Sequence, residues 1–237
     1  DGCLFESHTW YSHGIATFAL AEACAVARTE CRTPNARYEE AARRAVKFME
    51  QHQYSRGGWQ YALDSKGLGD TSVTGWQILA LKSAKEAEID VEQETMYRVL
   101  EFFQSVGDSR TGHTGYQSRN RHTDLTTAVG LIVQQFFVDG QDSPLALKAA
   151  EYLEGRAQQL GEEGDFYTLY NGTLAMFLTG DDAWSTWNTS VRDAVVRRQE
   201  SSGCQRGSWS GKYSRTLSTA WAVLILEVYY RYDNSQK

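Results

Sequence analysis

Proline is nearly absent from these 237 residues: only Pro34 and Pro144 occur. Both stand where a helix would open, and alternation of β-branched with polar residues is nowhere sustained. That pattern excludes a sheet-based fold and predicts helices throughout. Cysteine is sparse as well. Cys3, Cys24, Cys31 and Cys204 fall at unrelated spacings, giving neither a disulfide framework nor a CxxC metal pattern, and they suit reduced thiols in a cytosol-like compartment. No cluster of Lys and Arg accompanies the net charge of −6, which argues against nucleic acid as a partner. Long apolar runs are missing too. The most apolar stretch, Leu217–Tyr230, is too short to span a membrane and is broken by Ser218, Thr219 and Glu227. No signal-peptide pattern opens the chain, and it starts at Asp1 without Met, which leaves room for an upstream segment and for other domains of the same chain as partners.

What is present is apolar and aromatic. Hydrophobic residues make up 41% and aromatics 12%, with seven Trp and thirteen Tyr, more aromatic surface than a core alone needs. Nothing in the composition marks a linker, so residues 1–237 are read as one domain. Its helical segments are of two kinds that alternate. Gly14–Ala27, Thr71–Ala84, Leu125–Val138, Phe166–Leu178 and Thr216–Tyr230 are apolar nearly all round, which predicts burial on every side. Between them lie segments with a single apolar stripe: Tyr38, Ala41, Ala45 and Phe48; Met96, Val99, Phe103 and Val106; Trp184, Trp187, Val191 and Ala194; and a looser one over residues 143–160. Aligning the apolar helices on Leu20, Leu81, Val133, Met176 and Leu226 gives a period of roughly fifty residues. The expected fold is therefore all-α, an α/α toroid: a ring of helical hairpins with about five inner helices. Four outer helices against five inner ones leave the ring incomplete unless an outer helix lies before Asp1.

Two loops repeat a pattern. One reads Gln53, then Gly57 and Trp59; the other reads Gln199, then Gly207 and Trp209. A weaker copy is Gln104, Gly112, Gly115 and Tyr116, and residues 2–5 end like another. Glycine permits the tight reversal, and the aromatic can plug the gap between successive hairpins.

These loops, with Asp-Thr-Ser-Val and Ile-Leu-Ala-Leu at residues 70–81, resemble the repeats of squalene and hopene cyclases, relatives of the protein prenyltransferase β subunits. The phrases YSHGIATFALAEA, GDTSVTGWQILALKSA and LSTAWAVLILEVYYRY resemble most a group of bacterial prenyltransferase/squalene-oxidase-repeat proteins. The resemblance covers the whole chain and implies an α/α toroid, a fold that serves several chemistries.

At the chemical positions the resemblance thins. The cyclase motif Asp-x-Asp-Asp-Thr-Ala falls on Gly67-Leu68-Gly69-Asp70-Thr71-Ser72, so the proton-donor position is Gly69 and only Asp70 keeps a carboxylate. Protonating an alkene needs a strong neutral acid in an apolar site, and its loss removes that reaction. Prenyltransferases hold zinc through Asp-x-Cys and a distant His. Here there is no Asp-x-Cys, and His8, His13, His52, His113 and His122 have no ligand spacing with Cys, so no metal or other cofactor is expected. Gly203-Cys204-Gln205-Arg206 likewise lacks the spacing of a thioester-forming Cys-Gly-Glu-Gln.

Asp70, Asp124 and Asp165 each stand at the start of an inner helix, and in a toroid they would gather at one mouth of the cavity with Tyr11 and His13. Helix capping explains all three Asp, and a capping carboxylate is held as an anion: a poor proton donor, though a usable base. Tyr11, His13, Trp76, Tyr167, Tyr170, Asn171 and Trp221 are candidates to line a ligand cavity, with Gln77 a second buried amide that needs a partner. The favoured expectation is a domain without classical cyclase or zinc chemistry that binds an apolar, isoprenoid-like small molecule or an extended ligand. The alternative is an active toroid enzyme, either a terpenoid cyclase or transferase, or a carbohydrate-active lyase or hydrolase using the Asp cluster with His13.

Overall fold

The computed structural model describes residues 2–4, 9–62, 67, 69–137 and 142–228. Phe5, His8, Leu68, Val138, Tyr229 and Tyr230, named above, lie outside the described residues. Nine α-helices form among those described: α1 (Trp10–Thr29), α2 (Ala36–Gln51), α3 (Thr71–Glu86), α4 (Gln93–Val106), α5 (Asp124–Gln135), α6 (Pro144–Glu163), α7 (Phe166–Thr179), α8 (Asp181–Arg197) and α9 (Arg215–Leu226). The five all-round apolar segments are α1, α3, α5, α7 and α9, and the striped ones are α2, α4, α6 and α8. Extended pairing among the described residues is limited to isolated bridges, Thr9 with Ala62 and Gln199 with Trp209.

Most helix ends follow from their capping residues. Ser143 caps α6 with Pro144 at its first position, where a missing N–H costs nothing. Pro34 stands one residue further out than expected, because Asn35 is the cap of α2 and accepts from the Arg37 N–H. Helix α1 begins at Trp10 rather than Gly14, its first N–H bonded to the Tyr61 carbonyl at 2.9 Å.

The chain divides into two compact units, Asp1–Gly107 with Gly115–Arg121, and Asp108–Thr114 with His122–Lys237. In the first, α3 packs along α1, with α2 against both and α4 against α3. Thirteen residues of α3 are buried, from Thr71 to Ala84, so its apolar circumference is matched by neighbours. Gly14 is what lets α1 come close: a Cβ there would lie 2.5 Å from Gln77 Nε2 and 3.0 Å from Trp76 Cβ. The face that α2 turns inward is Ala42, Ala45, Val46 and Met49, one residue around from the predicted stripe. Tyr38 is exposed instead. Small side chains allow α2 to sit near α1, where a tyrosine would hold it off.

In the second unit α7 is central, packed against α5, α6, α8 and α9, while α6 and α8 pair. Twelve residues of α7 are buried. Gly172 makes room for Trp187, whose ring carbons would lie 2.5 Å from a Cβ at that position. The predicted faces of α4 and α8 are inward, except that Trp184 is half-buried, edge-on to Phe177.

The two Gln/Gly/Trp loops are built from the same hydrogen bonds. Gln53 Nε2 donates to the Gly57 carbonyl at 3.2 Å, and Gln199 Nε2 donates to the Gly207 carbonyl at 3.0 Å. Both glycines have positive φ, 89° and 86°, which a side chain would strain. Each tryptophan donates its indole N–H back to a carbonyl in the last turns of the preceding helix, Trp59 to Met49 at 3.2 Å and Trp209 to Val195 at 2.7 Å. Each also donates its backbone N–H forward to a threonine hydroxyl of the next apolar helix, Thr74 or Thr219, at 3.1 Å. The loop is thus a clip that joins the end of one helix to the start of the next.

If the clip acts as described, Trp59→Phe and Trp209→Phe each keep a buried ring but remove the indole hydrogen bond, leaving the Met49 or Val195 carbonyl with its backbone partner alone, and each should cost about 1 kcal/mol. Urea unfolding of the single variants measures this. Midpoints equal to wild type at both sites would refute the clip.

Candidate functional site

The entry to α3 holds the carboxylate singled out by sequence. Asp70 is fully buried and caps the helix: Oδ1 accepts the Val73 N–H at 3.0 Å and the Ser72 hydroxyl at 2.7 Å. Its own N–H donates to the Trp59 carbonyl, tying the cap to the clip. Oδ2 is buried and has no hydrogen-bond partner. Gly69, just before it, touches backbone. A Cβ there would sit 2.6 Å from Gly58 Cα and 3.0 Å from the Phe102 ring. The position matching the cyclase proton donor is therefore closed to any side chain.

Hydroxyls surround this carboxylate. Tyr11 donates to Ser72 Oγ at 2.7 Å, and Ser72 passes a hydrogen bond on to Asp70. Tyr116, held at the helix start where Thr71 donates to the carbonyls of Gly115 and Tyr116, donates its hydroxyl to Tyr61 at 2.9 Å. Burial first, then contact with Asp70 and with Tyr61, pushes the Tyr116 hydroxyl well above its ordinary pKa. Tyr11 and Tyr61 meet ring to ring at 5.3 Å, and Tyr61 is 48% exposed.

His13 lies elsewhere in the same unit. It is fully buried among Trp10 and Phe48, accepting from the Leu4 N–H at Nδ1, 3.3 Å, and facing the Ala45 carbonyl with Nε2, 3.1 Å. Those partners place its proton on Nε2. Burial lowers its pKa from 6.5 to about 4, with His52 adding to the effect and the Ala45 carbonyl opposing it. The ring is neutral at pH 7 and packed as core.

Asp124 and Asp165 come together in the second unit, at a cleft of about 390 Å³ lined by Thr123, Asp124, Arg156, Glu163, Asp165 and Lys212, with Leu125 and Leu160 among its apolar walls. Their roles differ. Asp165 caps α7, accepting the Tyr167 and Thr168 N–H groups at 3.0 Å and the Thr168 hydroxyl at 3.1 Å. Capping was the expected role of Asp124 as well, but Thr123 caps α5, in a capping box with Thr126. The Asp124 carboxylate is left to pair with Arg156, both oxygens engaged at 3.1–3.2 Å, and to accept the Tyr152 hydroxyl at 2.7 Å. Burial alone would raise its pKa; the bonds from Arg156 and Tyr152 overcome that and hold it below the ordinary value. Burial, reinforced by Asp124, pushes Tyr152 up to about 12.

The remaining predicted ligand residues are core. Trp76 is buried against Phe18, and Trp221 stacks at 5.0–5.3 Å on Tyr167 and Tyr170, all three buried. Asn171 donates back to the Tyr167 carbonyl at 2.9 Å, and Gln77 to the Trp10 carbonyl at 2.8 Å. Sequence reading passed over Tyr61, Tyr116, Tyr152, Arg156 and Lys212. The first two lie in loops without periodicity, and the others sit on exposed faces where their type is ordinary. Among the described residues no group of three or more His, Cys, Asp or Glu side chains converges as metal ligands.

Comparison with known proteins bears on both units. A family model described as pectic acid lyase matches residues 16–138. No curated protein matches the chain. Among solved structures, the type II terpene cyclase MstE from Scytonema is similar: the apo form at 14% identity and TM-score 0.60, covering 90% of this chain and 62% of that one. A variant of MstE in complex with merosterolic acid A, its product, gives 15% and 0.62, covering 91% and 63%. This chain thus spans about 63% of the length of the cyclase. The likeness shows the fold, all-α and of the α/α toroid class.

Two outcomes follow from the first unit. Because unfolded His13 binds a proton below its ordinary pKa of 6.5 while the folded ring resists until about 4, stability should fall with pH across that window, by up to about 3 kcal/mol. His13→Gln, which can make both hydrogen bonds without titrating, should flatten that slope in urea unfolding at stepwise pH; an unchanged slope would show that other groups cause it. Gly69→Ala should cost about 1–3 kcal/mol through overpacking. A Gly69→Ala chain as stable as wild type would contradict the backbone contact with Gly58.

Proposed function

Since the chain belongs to the pectic acid lyase family, we propose that it acts on an acidic polysaccharide of the pectic-acid class, a polymer of galacturonate, held in the cleft of the second unit. The observation that supports this best is the cleft's charge arrangement. Asp124 is neutralised by Arg156, and Asp165 is turned into the start of α7, so neither presents a free charge outward. Exposed Lys212 is then a cation at the rim, beside Gln159, whose amide links Arg156 to Glu163. A cleft of this size, part apolar and part polar, suits a sugar ring better than an isoprenoid chain.

Elimination from a uronate requires little machinery. A base takes the C5 proton, the C4–O bond breaks with its electrons leaving on oxygen, the C5–H electron pair forms the C4–C5 double bond, and the departing oxygen gains a proton. A cation at the uronate carboxylate stabilises the developing charge. Lys212 is our candidate for that cation, and Glu163, at the exposed rim and outside both the cap and the Arg156 pair, for the base. Asp124 is unsuited to it, because both its oxygens are occupied by Arg156 and Tyr152. Asp70 and Asp165 act as caps, and His13 as core.

The apolar-ligand reading draws its support from the similarity to a terpene cyclase. The aromatics assigned to it, Trp76, Tyr167, Tyr170 and Trp221, are spent on packing one another and their neighbours. For that reason the acidic-polysaccharide reading is preferred.

Incubation with polygalacturonate tests it directly. Retardation in a polymer-loaded native gel, with ultraviolet absorbance from an unsaturated product, is the expected result. Lys212→Ala should weaken binding about five-fold, less at high salt, as for an exposed ion pair. A wild-type chain that neither binds the polymer nor releases product would sink the reading.

A further inference from the structure

The hydroxyl cluster of the first unit is not used by that reading. Three tyrosines from separate segments are linked around one buried carboxylate, Asp70: Tyr116 after α4 lies beside it, Tyr11 at the start of α1 reaches it through Ser72, and Tyr61 in the loop before α3 is bonded to Tyr116. Helix capping accounts for one oxygen only. Oδ2 is buried and unpaired, which a cap alone would not require and which asks for a further donor.

We propose that Tyr61 and Tyr116, with Tyr11, Ser72 and Asp70 behind them, form a second saccharide site, selective for neutral, hydroxyl-bearing sugar rather than for uronate. The proposal rests on the polysaccharide reading for its ligand class and departs from it in charge preference. Three features argue for a hydroxyl. Tyr116 has two acceptors in reach: it donates to Tyr61, and turning its hydroxyl toward Asp70 would fill the empty oxygen. In the first state exposed Tyr61 has a proton to give; in the second Tyr61 donates to Tyr116 and its oxygen accepts. Its rim atom can therefore play either part, which matches a hydroxyl, whereas a carboxylate only accepts and an ammonium only donates.

Charge gives the second feature. None of the five side chains is cationic and one of them, Asp70, is a buried carboxylate, so these five groups give a uronate carboxylate no charge partner of their own. The third is surface. Tyr11 and Tyr61 meet ring to ring, and the exposed part of Tyr61 offers an apolar face with a polar tip, suited to the C–H face of a sugar ring.

Calorimetric titration of the intact chain with tetragalacturonate and with its fully methyl-esterified form separates the two sites, because the probes share a sugar backbone and differ in charge and in one methyl per carboxyl. The double variant Tyr61→Phe, Tyr116→Phe keeps both rings and should bind the esterified probe about ten-fold more weakly, the loss of roughly one good hydrogen bond. It should bind the charged probe as wild type does. Lys212→Ala should show the reverse. If the double variant does not fold, Tyr61→Phe at the exposed position carries the test. An esterified probe that fails to bind wild type, or that binds the tyrosine variant equally well, overturns the proposal. Failure of the charged probe alone overturns the cleft reading and leaves this one standing.

Discussion

Carbonyl groups at the end of a helix lack the full set of partners that those in its middle have, and in this chain two of the outer helices meet a tryptophan there, its indole adding to the cap N–H that the Met49 or Val195 carbonyl already accepts. The indole N–H of Trp59 or Trp209 reaches back into that last turn, while its backbone N–H reaches forward to Thr74 or Thr219. Because the donors sit on one residue, the end of α2 and the start of α3 are fixed relative to each other, and likewise α8 and α9. Glutamine and glycine complete the turn between them. The position of Asp70 is a consequence: its N–H is bonded to the Trp59 carbonyl, so the clip decides where the cap stands.

The same geometry decides which chemistry is absent. Closing the clip brings Gly58 against Gly69, backbone to backbone, and no acid can occupy a position without room for a Cβ. A loop packed this tightly gains a well-determined helix start and gives up a proton donor. The missing carboxylate is thus a packing requirement, which sequence comparison could notice as a substitution without giving its reason.

Much of the fold was legible beforehand because it depends on local rules. Of the all-round apolar segments, α3, α5 and α7 became buried over most of their length, whereas α1 and α9 keep an exposed face with Ile15, Val26, Leu217 and Val223 outward; the stripes of α4 and α8 faced inward, and the Gln/Gly/Trp spacing marked two loops with the same bonds. Where the reading slipped, a nonlocal contact or a choice between neighbours was responsible. Tyr38, Ala41 and Phe48 were assigned to the core of α2 with Ala45, but close packing kept Ala45 and turned in Ala42, Val46 and Met49 one position around. Asp124 was assigned to a cap, but Thr123 beside it is equally able to cap, and Arg156, thirty-two residues on, claimed the carboxylate. The tyrosines of the first unit were less legible still. Tyr61 and Tyr116 stand in irregular loops, and only the folded chain reveals that they share a carboxylate with Tyr11.

Three aspartates at the starts of three helices, two of them caps and Asp124 one residue inside, illustrate why the site could not be read by residue type. Asp165 spends both oxygens on its own helix and is electrically quiet. Asp124 has a cation locked to it, so its neighbourhood has no net charge and the rim residues set the character of the cleft. Asp70 spends one oxygen on its helix and Ser72, and the side chains around it that the site uses, Ser72, Tyr11 and Tyr116, are hydroxyls. Either carboxylate polarises a hydroxyl bonded to it, as Asp124 does to Tyr152, but pairing with a guanidinium weakens the field beyond that contact. The two units consequently offer a ligand opposite surroundings: an exposed cation beside paired charges in one, and hydroxyls backed by an anion in the other. A polymer carrying both acidic and esterified sugars is a substrate whose chemistry would match both.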